Sequence, residues 1–160
     1  MPLSLSYCTK WALAKKKPWK IIDEETAREC HHKRQPYSAI ISKGENAIYI
    51  IDIANEWVSI IFLDDMLRQY LRYDFKEVEP GRLFLRGGYF WEYEGDTDNE
   101  MGRKIFRFEE NGYSLLAEDN FLTNESREVE VNGGVESNWE KYPEFGEYMY
   151  LCRKERDGKV

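Results

Sequence analysis

The sequence is poor in the residue types that usually carry catalysis or hold cofactors. It contains three cysteines and two histidines, and it has no CxxC pair, no GxSxG motif and no phosphate-binding glycine loop. The odd, widely spaced set Cys8, Cys30 and Cys152 argues against a disulfide framework and indicates a reducing compartment. No serine or cysteine has an obvious histidine base. We therefore predict that the protein is not an enzyme and has no catalytic, cofactor-binding or metal-binding residues.

Long apolar runs are also missing. Residues 3–5 are too short for the apolar region of a signal peptide, and Lys10 prevents a longer apolar run from forming there. No run is long enough to span a bilayer. The sequence thus predicts a cytoplasmic protein without a membrane partner.

Charge is unevenly distributed along the chain, whose formal net charge is −7. Residues 1–43 carry nine Lys/Arg and four Asp/Glu, a net charge of +5, whereas residues 44–160 carry fourteen and twenty-six, a net charge of −12. An acidic surface repels phosphate, so we expect no direct nucleic-acid partner for this part and favour a basic protein partner. The alternative is that the acidity only keeps the protein soluble.

Residues 57–131 alternate between short apolar strands and turns. The segment 57–63 is apolar on both faces, which is typical of a strand covered on both sides. The segment 70–76 alternates polar and apolar residues, and the next strand is predicted to place five side chains on one face: Leu83, Leu85, Tyr89, Trp91 and Tyr93. Short connections predict antiparallel neighbours. Residues 36–131 are therefore predicted to form an antiparallel meander of about seven strands in a mainly β (α+β) fold.

The turns of this meander are predicted from their residue types. Pro80-Gly81 fits a type II turn, and Asn111-Gly112 is the pair typical of a type I′ hairpin. Gly87-Gly88 lies inside a strand and predicts a bulge. Asp64-Asp65 is interpreted as a turn rather than as the start of a helix.

The two ends of the single predicted domain, residues 1–160, are expected to differ from the meander. Residues 1–20 are predicted to be an irregular basic arm, followed by one short helix within residues 21–35 that Asp23 caps. Residues 135–152 are rich in aromatics and are predicted to form helical turns packed across one end of the sheet. The remaining polar residues are expected to fray.

Three sets of residues could carry other chemistry. Cys30-His31-His32 contains metal-ligating types, but adjacent side chains on a helix diverge. Residues 96–100 alternate acids as a calcium loop does, yet the loop lacks the glycine and the terminal acid. Asp64 and Asp65 could be half of a carboxylate pair, although turn chemistry explains them.

Three segments resemble a known class of bacterial proteins. Residues 62–65 (FLDD), 73–85 (YDFKEVEPGRLFL) and 137–148 (SNWEKYPEFGEY) are similar to immunity proteins encoded beside polymorphic toxins of the contact-dependent growth inhibition or Rhs type. The resemblance covers roughly residues 45–155. It implies a non-enzymatic protein that binds and neutralises one cognate toxin C-terminal domain, often a nuclease with a basic cleft.

The charge pattern and this resemblance together predict a partner surface. Acidic residues on the polar faces and turns of the meander are predicted to contact the basic active-site surface of the toxin: Asp74, Glu92, Glu94, Asp96, Asp98, Glu109, Glu110, Glu118 and Asp119.

Two alternatives remain open from the sequence. The aromatic residues Tyr89, Trp91, Tyr93 and Phe106 could line a pocket of a non-catalytic ligand-binding β domain. A small hydrolase or isomerase could use Asp64, Asp65 or His31.

Overall fold

The fold is built almost entirely from antiparallel strands. The computed structural model describes residues 2–156, and its elements in chain order are β1 Leu3–Cys8, β2 Trp11–Ala12, β3 Lys17–Pro18, β4 Ile21–Ile22, α1 Glu24–His32, β5 Tyr37–Lys43, β6 Asn46–Ala54, β7 Trp57–Leu63, β8 Gln69–Glu79, β9 Arg82–Tyr93, β10 Glu100–Phe108, β11 Tyr113–Asn120, β12 Glu125–Asn132 and β13 Trp139–Lys141. Two 3₁₀ turns, Glu136–Asn138 and Met149–Leu151, complete the tail. None of the helices in residues 2–156 is long and apolar enough to cross a membrane.

Eleven of these strands form one open sheet. Its order is β12-β11-β10-β9-β8-β7-β6-β5-β1-β4, with β13 paired to the first residues of β9, while β2 and β3 form a separate small hairpin. Strands β5 to β12 follow one another in sequence and in space, so the predicted antiparallel meander is confirmed, with eight strands in it. The mainly β class with one short helix is also confirmed.

The prediction of an irregular arm over residues 1–20 was wrong. Residues Leu3–Cys8 form β1, which pairs antiparallel with β5 along its whole length and extends the sheet beyond the meander. The basic run then lies in the β2–β3 hairpin, where Lys16 takes a positive φ of 57° in the turn. The N-terminal residues are therefore part of the sheet and not an appendage.

The helix agrees with the sequence prediction, and the tail agrees in part, because its helical turns are present but Trp139–Lys141 form strand β13, which was not predicted. Helix α1 begins after Asp23, whose carboxylate accepts a hydrogen bond from the Thr26 backbone N–H at 2.7 Å, as an N-cap does. The two 3₁₀ turns pack buried aromatic and aliphatic side chains such as Tyr148 and Leu151 on the sheet. The polar end was not wholly predicted, because Arg156 is buried. Residues 157–160 lie outside the described part of the chain.

Turn geometry confirms most of the turn predictions. Gly81 has a φ of 78°, as the second central residue of a type II turn requires. The Asp64 carboxylate accepts backbone hydrogen bonds from Met66 and Arg68, both at 2.9 Å, and so closes the predicted turn. The type I′ prediction at Asn111-Gly112 was wrong. Only Gly112 has a positive φ (96°), and the Glu109 carbonyl accepts from its N–H, which describes a type I turn followed by a left-handed glycine.

A bulge in β9 changes which side chains share a face. Asp74 pairs with Gly87 and Phe75 pairs with Leu85, so Arg86 is an extra residue on β9. Because one added residue inverts the alternation, the five side chains predicted to share a face do not: Leu83 and Leu85 lie on one face, and Tyr89, Trp91 and Tyr93 lie on the other. The bulge itself was predicted from Gly87-Gly88, but its effect on the register was not.

The sheet has a core on each face of its central strands. The front face, defined by Ile60 and Phe75, packs against α1 and the tail. The back face, defined by Ile50 and Ile61, packs against Trp11 of the β2–β3 hairpin. Strand β7 is thus covered on both sides, as predicted.

Beyond this core the sheet continues uncovered. We call the three strands β10, β11 and β12 the wing. Burial falls along it until every residue of β12 is exposed. Strand pairing connects the wing to the rest of the sheet, and no other element of residues 2–156 covers most of it. Both of its faces and its outer edge are therefore largely open to solvent.

Candidate functional site

The nine acidic residues predicted to contact a partner do not form one patch. Glu94, Asp96 and Asp98 lie in the loop between β9 and β10, whereas Glu109 and Glu110 lie in the turn at the other end of β10. The nine residues of β10 separate these groups by about 30 Å. The other four, Asp74, Glu92, Glu118 and Asp119, lie on strands and are divided between the two faces.

Five of these nine carboxylates are already paired with a basic side chain. The ion pairs are Asp74–Arg72 (2.8 Å), Asp98–Lys16 (3.0 Å), Glu110–Arg86 (2.6 Å), Glu118–Arg127 (3.0 Å) and Asp119–Arg103 (3.2 Å). Glu92, Glu94, Asp96 and Glu109 have no ion-pair partner within residues 2–156. Much of the predicted acidic surface is therefore neutralised within the protein.

A further set of acidic residues without an ion-pair partner in the described part of the chain lies on β12, outside the nine that the sequence predicted. Glu125, Glu128 and Glu130 are exposed, and no lysine or arginine of residues 2–156 lies within ion-pair distance of them. The alternation of Val129 and Val131 with the glutamates was visible in the sequence. The missing information was strand order, which makes β12 the edge of the sheet.

Apolar side chains lie beside this acidic edge. On the front face of the wing, Phe106, Leu116 and Val129 are in register across the three strands. Val129 and Val131 are both exposed. Exposed apolar side chains therefore lie directly beside acidic side chains on the outermost strand.

No family model, no curated protein and no solved structure matches this chain.

The four aromatic residues considered as a ligand pocket are divided by the β9 bulge. Tyr89 and Trp91 stack on the back face with ring centroids 5.9 Å apart, while Phe106 is opposite Gly88 on the front face. Tyr93 donates a hydrogen bond to the Gln69 carbonyl at 2.5 Å, and the Arg68 guanidinium lies 4.7 Å from its ring centroid. The four rings therefore do not enclose one site.

A second polar feature lies on the back face at the centre of the sheet. Ser38, Asp52, Ser59 and Asp74 occupy one cross-strand row over β5 to β8 and line a cleft of about 570 Å³. Ser38 donates to Asp52, Ser59 donates to Asp74 at 2.6 Å, and Arg72 also donates to Asp74 at 2.8 Å. The partly buried Asp52 thus has a hydrogen-bond partner, as a polar group removed from water requires.

Asp52 is the acid of this row that burial perturbs. Burial raises its pKa above the usual range, and the Ser38 hydrogen bond and Arg72 only partly oppose that effect. Because the pKa of Asp52 is higher in the folded protein than in the unfolded chain, the folded protein binds the Asp52 proton more tightly. Stability contributed by this group is complete below that usual value and is lost as the pH rises through the raised pKa of the folded state.

Replacing Asp52 with asparagine is expected to stabilise the protein at pH 7. The amide keeps the shape and the acceptor for Ser38 but carries no buried charge, so the free energy of unfolding should rise by an amount on the order of 1 kcal/mol. The difference should vanish as the pH falls to about 3, below the usual pKa of aspartate, where the carboxyl is neutral in both the folded and the unfolded state. Urea unfolding of Asp52→Asn and wild type at several pH values measures this, with exposed Asp96→Asn as the control. A variant less stable than wild type at pH 7 would contradict this account of Asp52.

His31 lies in an aromatic cluster, its Nδ1 is 2.7 Å from the Tyr37 hydroxyl, and its ring contacts Phe145 edge-on. Burial is the main effect that lowers the pKa of His31, and the proximity of His32 lowers it further. Within residues 2–156, no three His, Cys, Asp or Glu side chains are placed to hold a metal ion.

The residues considered for hydrolysis are not brought together. Asp64 and Asp65 come directly after the last residue of β7. His31 lies near the other end of that strand, because it contacts Tyr37, and the cross-strand row of Tyr37 reaches β7 at Val58. Asp64 also uses its carboxylate to accept from Arg68 Nε at 2.8 Å. Asp64 closes a turn and His31 packs at the end of α1, so these side chains do not converge on a reaction centre.

Proposed function

We propose that this protein is a cytoplasmic immunity protein that binds a cognate bacterial toxin domain and neutralises it. The toxin we have in mind is a nuclease with a basic substrate surface, and binding would cover that surface so that nucleic acid cannot reach it. The observation that carries the proposal is the solvent-exposed acidic edge of the wing, with Glu125, Glu128 and Glu130 uncompensated beside exposed Val129 and Val131.

Physical chemistry assigns a different task to each part of this surface. Uncompensated glutamates accelerate the encounter with a basic protein, because complementary charge steers two proteins together. Exposed valines and the half-exposed Phe106 supply apolar area that leaves water on binding. An inhibitor that acts in this way needs no bond-making residues of its own, and its gene is expected to adjoin that of its toxin.

Reversing the edge charges is expected to slow binding. In the triple variant Glu125→Lys, Glu128→Lys, Glu130→Lys, the association rate constant with the toxin domain encoded by the adjoining gene should fall at least about tenfold at low salt, and its salt dependence should weaken. Surface plasmon resonance at several salt concentrations measures both quantities.

A matched variant controls for the change in net charge. Glu45, Glu147 and Glu155 are exposed and lie outside the wing, so reversing these three alters the total charge equally but not the proposed surface. Its association rate should stay close to that of wild type. Equal rates for the two triple variants would refute the wing as the contact surface, and the absence of any complex with wild type at micromolar concentration would refute the proposed function.

A further inference from the structure

The outer edge of β12 is a long, regular and uncovered strand edge. Its eight residues pair in continuous register with β11 without a bulge, and all are exposed. An edge of this length presents a row of backbone groups that can pair with another strand. At the opposite end of the sheet, β4 covers only Tyr7 and Cys8 of β1, so the open edge there is limited to residues 3–6, half the length of β12.

The backbone groups that point away from β11 can be assigned from the ladder. The Gly133 N–H donates to the Gly112 carbonyl at 3.0 Å, so this pair is hydrogen-bonded, and hydrogen-bonded and non-bonded pairs alternate along an antiparallel ladder. Val131 and Val129 are then bonded to β11, whereas Glu130 and Glu128 point their N–H and C=O groups outward. On the other side of β11, the Phe121 N–H donates to the Met101 carbonyl, so odd-numbered residues of β11 bond to β10 and even-numbered residues bond to β12, which agrees with this assignment.

Side-chain pattern adds a second requirement to the same edge. Val129 and Val131 share the front face with Phe106, while Glu128 and Glu130 share the back face. A strand added here would place alternate side chains beside the valines and beside the glutamates. The complementary segment therefore alternates apolar residues with lysine or arginine.

We propose that the cognate toxin, whose existence is the function proposed above, adds an extended segment of this alternating type to the edge of β12. Main-chain hydrogen bonds to Glu128 and Glu130 hold the segment in place, and the two glutamates select basic side chains on its back face. This mode of recognition uses the sheet edge for affinity and the side-chain alternation for specificity.

A second copy of this protein fits the middle of the same edge poorly. When two copies pair antiparallel about a two-fold axis, the front faces of both sheets lie on the same side. Odd-numbered residues of β12 then oppose odd-numbered residues, and even-numbered residues oppose even-numbered ones. Depending on the register, such pairing centred within residues 127–130 sets Arg127 against Arg127, Glu128 against Glu128 or Glu130, or Glu130 against Glu130. Directly opposed like charges destabilise strand pairing, and a basic partner strand removes this conflict.

The test compares Glu128→Pro with Glu128→Gln. Both variants lose the same charge, but only proline removes the outward N–H and places its ring in the path of an added strand. Proline is tolerated at such an edge position, because its missing N–H does not serve β11. With the toxin domain encoded by the adjoining gene immobilised on a sensor surface, Glu128→Pro should bind about 10- to 100-fold more weakly than Glu128→Gln.

Amide hydrogen exchange in the wild-type complex gives a readout that needs no variant. The amides of Glu128 and Glu130 should exchange much more slowly in the complex than in the free protein, while the amides of Val129 and Val131 should change less. Equal affinities of the two Glu128 variants, or unchanged exchange at Glu128 and Glu130 in a complex that does form, would overturn strand addition and leave the proposed function standing. Failure of wild type to bind the toxin domain would overturn both.

Discussion

Replacing Glu140 with alanine is expected to lower the free energy of unfolding by about 3–5 kcal/mol, because it leaves a buried charge without its partner. Glu140 lies on β13, and its carboxylate accepts from Arg156 Nη1 at 2.9 Å. Arg156 is 1% exposed, and its guanidinium lies over the rings of Tyr73 and Phe75, 5.5 and 4.9 Å from their centroids. Burial lowers the pKa of Arg156, and Glu140 is what opposes that effect.

Little else can compensate Arg156 once the carboxylate is gone. Its Nη2 donates to the Leu151 carbonyl at 3.2 Å, and its buried Nε has no hydrogen-bond partner within residues 2–156. The remaining charge would stay in an apolar setting formed by the front face of the sheet. Arg156 therefore fixes the end of the tail on the core only as long as Glu140 is present.

Arg153→Ala is the matched control for this prediction. Arg153 contacts the same carboxylate, but its side chain is half exposed, so its removal should lower the free energy of unfolding by less than about 1 kcal/mol. Urea unfolding followed by circular dichroism measures both variants. If Glu140→Ala were no more destabilised than Arg153→Ala, the Glu140–Arg156 pair would not be what holds the tail.

Local residue chemistry predicted the elements well. Asp23 and the two glutamates after it defined the start of α1, Pro80-Gly81 defined a turn, and the doubly apolar β7 identified the strand buried on both sides. Each of these signals is contained within a few consecutive residues. These elements can therefore be predicted without knowing which other segments they pair with.

Features that depend on distant partners were not predicted. Strand β1 is short, and nothing in its residues indicates that it pairs with β5 more than thirty residues later. The extra residue Arg86 inverted the facing of Tyr89 and Trp91, since a bulge shows its effect only against the neighbouring strand. Burial of Arg156 depends on a partner on β13, and the same residues look like a frayed polar end in the sequence.

The acidity of the chain could be predicted from the sequence, but the positions of the acids without ion-pair partners could not. Acidity of the meander was evident from composition, yet which acids are free depends on ion pairs such as Glu118–Arg127 that only the sheet register creates. Glu125, Glu128 and Glu130 lie at the edge of the sheet because β12 is last in the strand order. Strand order is a property of the whole chain and cannot be obtained from any one segment.

Growth rescue is expected to be the largest effect of all. In bacteria that express the toxin domain encoded by the adjoining gene, viable counts should fall by several orders of magnitude, and co-expression of this protein should restore them. Rescue is expected because an inhibitor in excess over its tightly bound target leaves little free toxin. The Glu128→Pro variant should rescue less well than Glu128→Gln if strand addition holds the complex.

Viable counts with and without this protein test the central claim most directly. A toxin domain of the same activity but from an unrelated system serves as the specificity control, and it should kill whether or not this protein is present. Restored growth against the adjoining toxin alone is the result that the account predicts. Undiminished killing by that toxin, with both proteins produced in folded form, would contradict it.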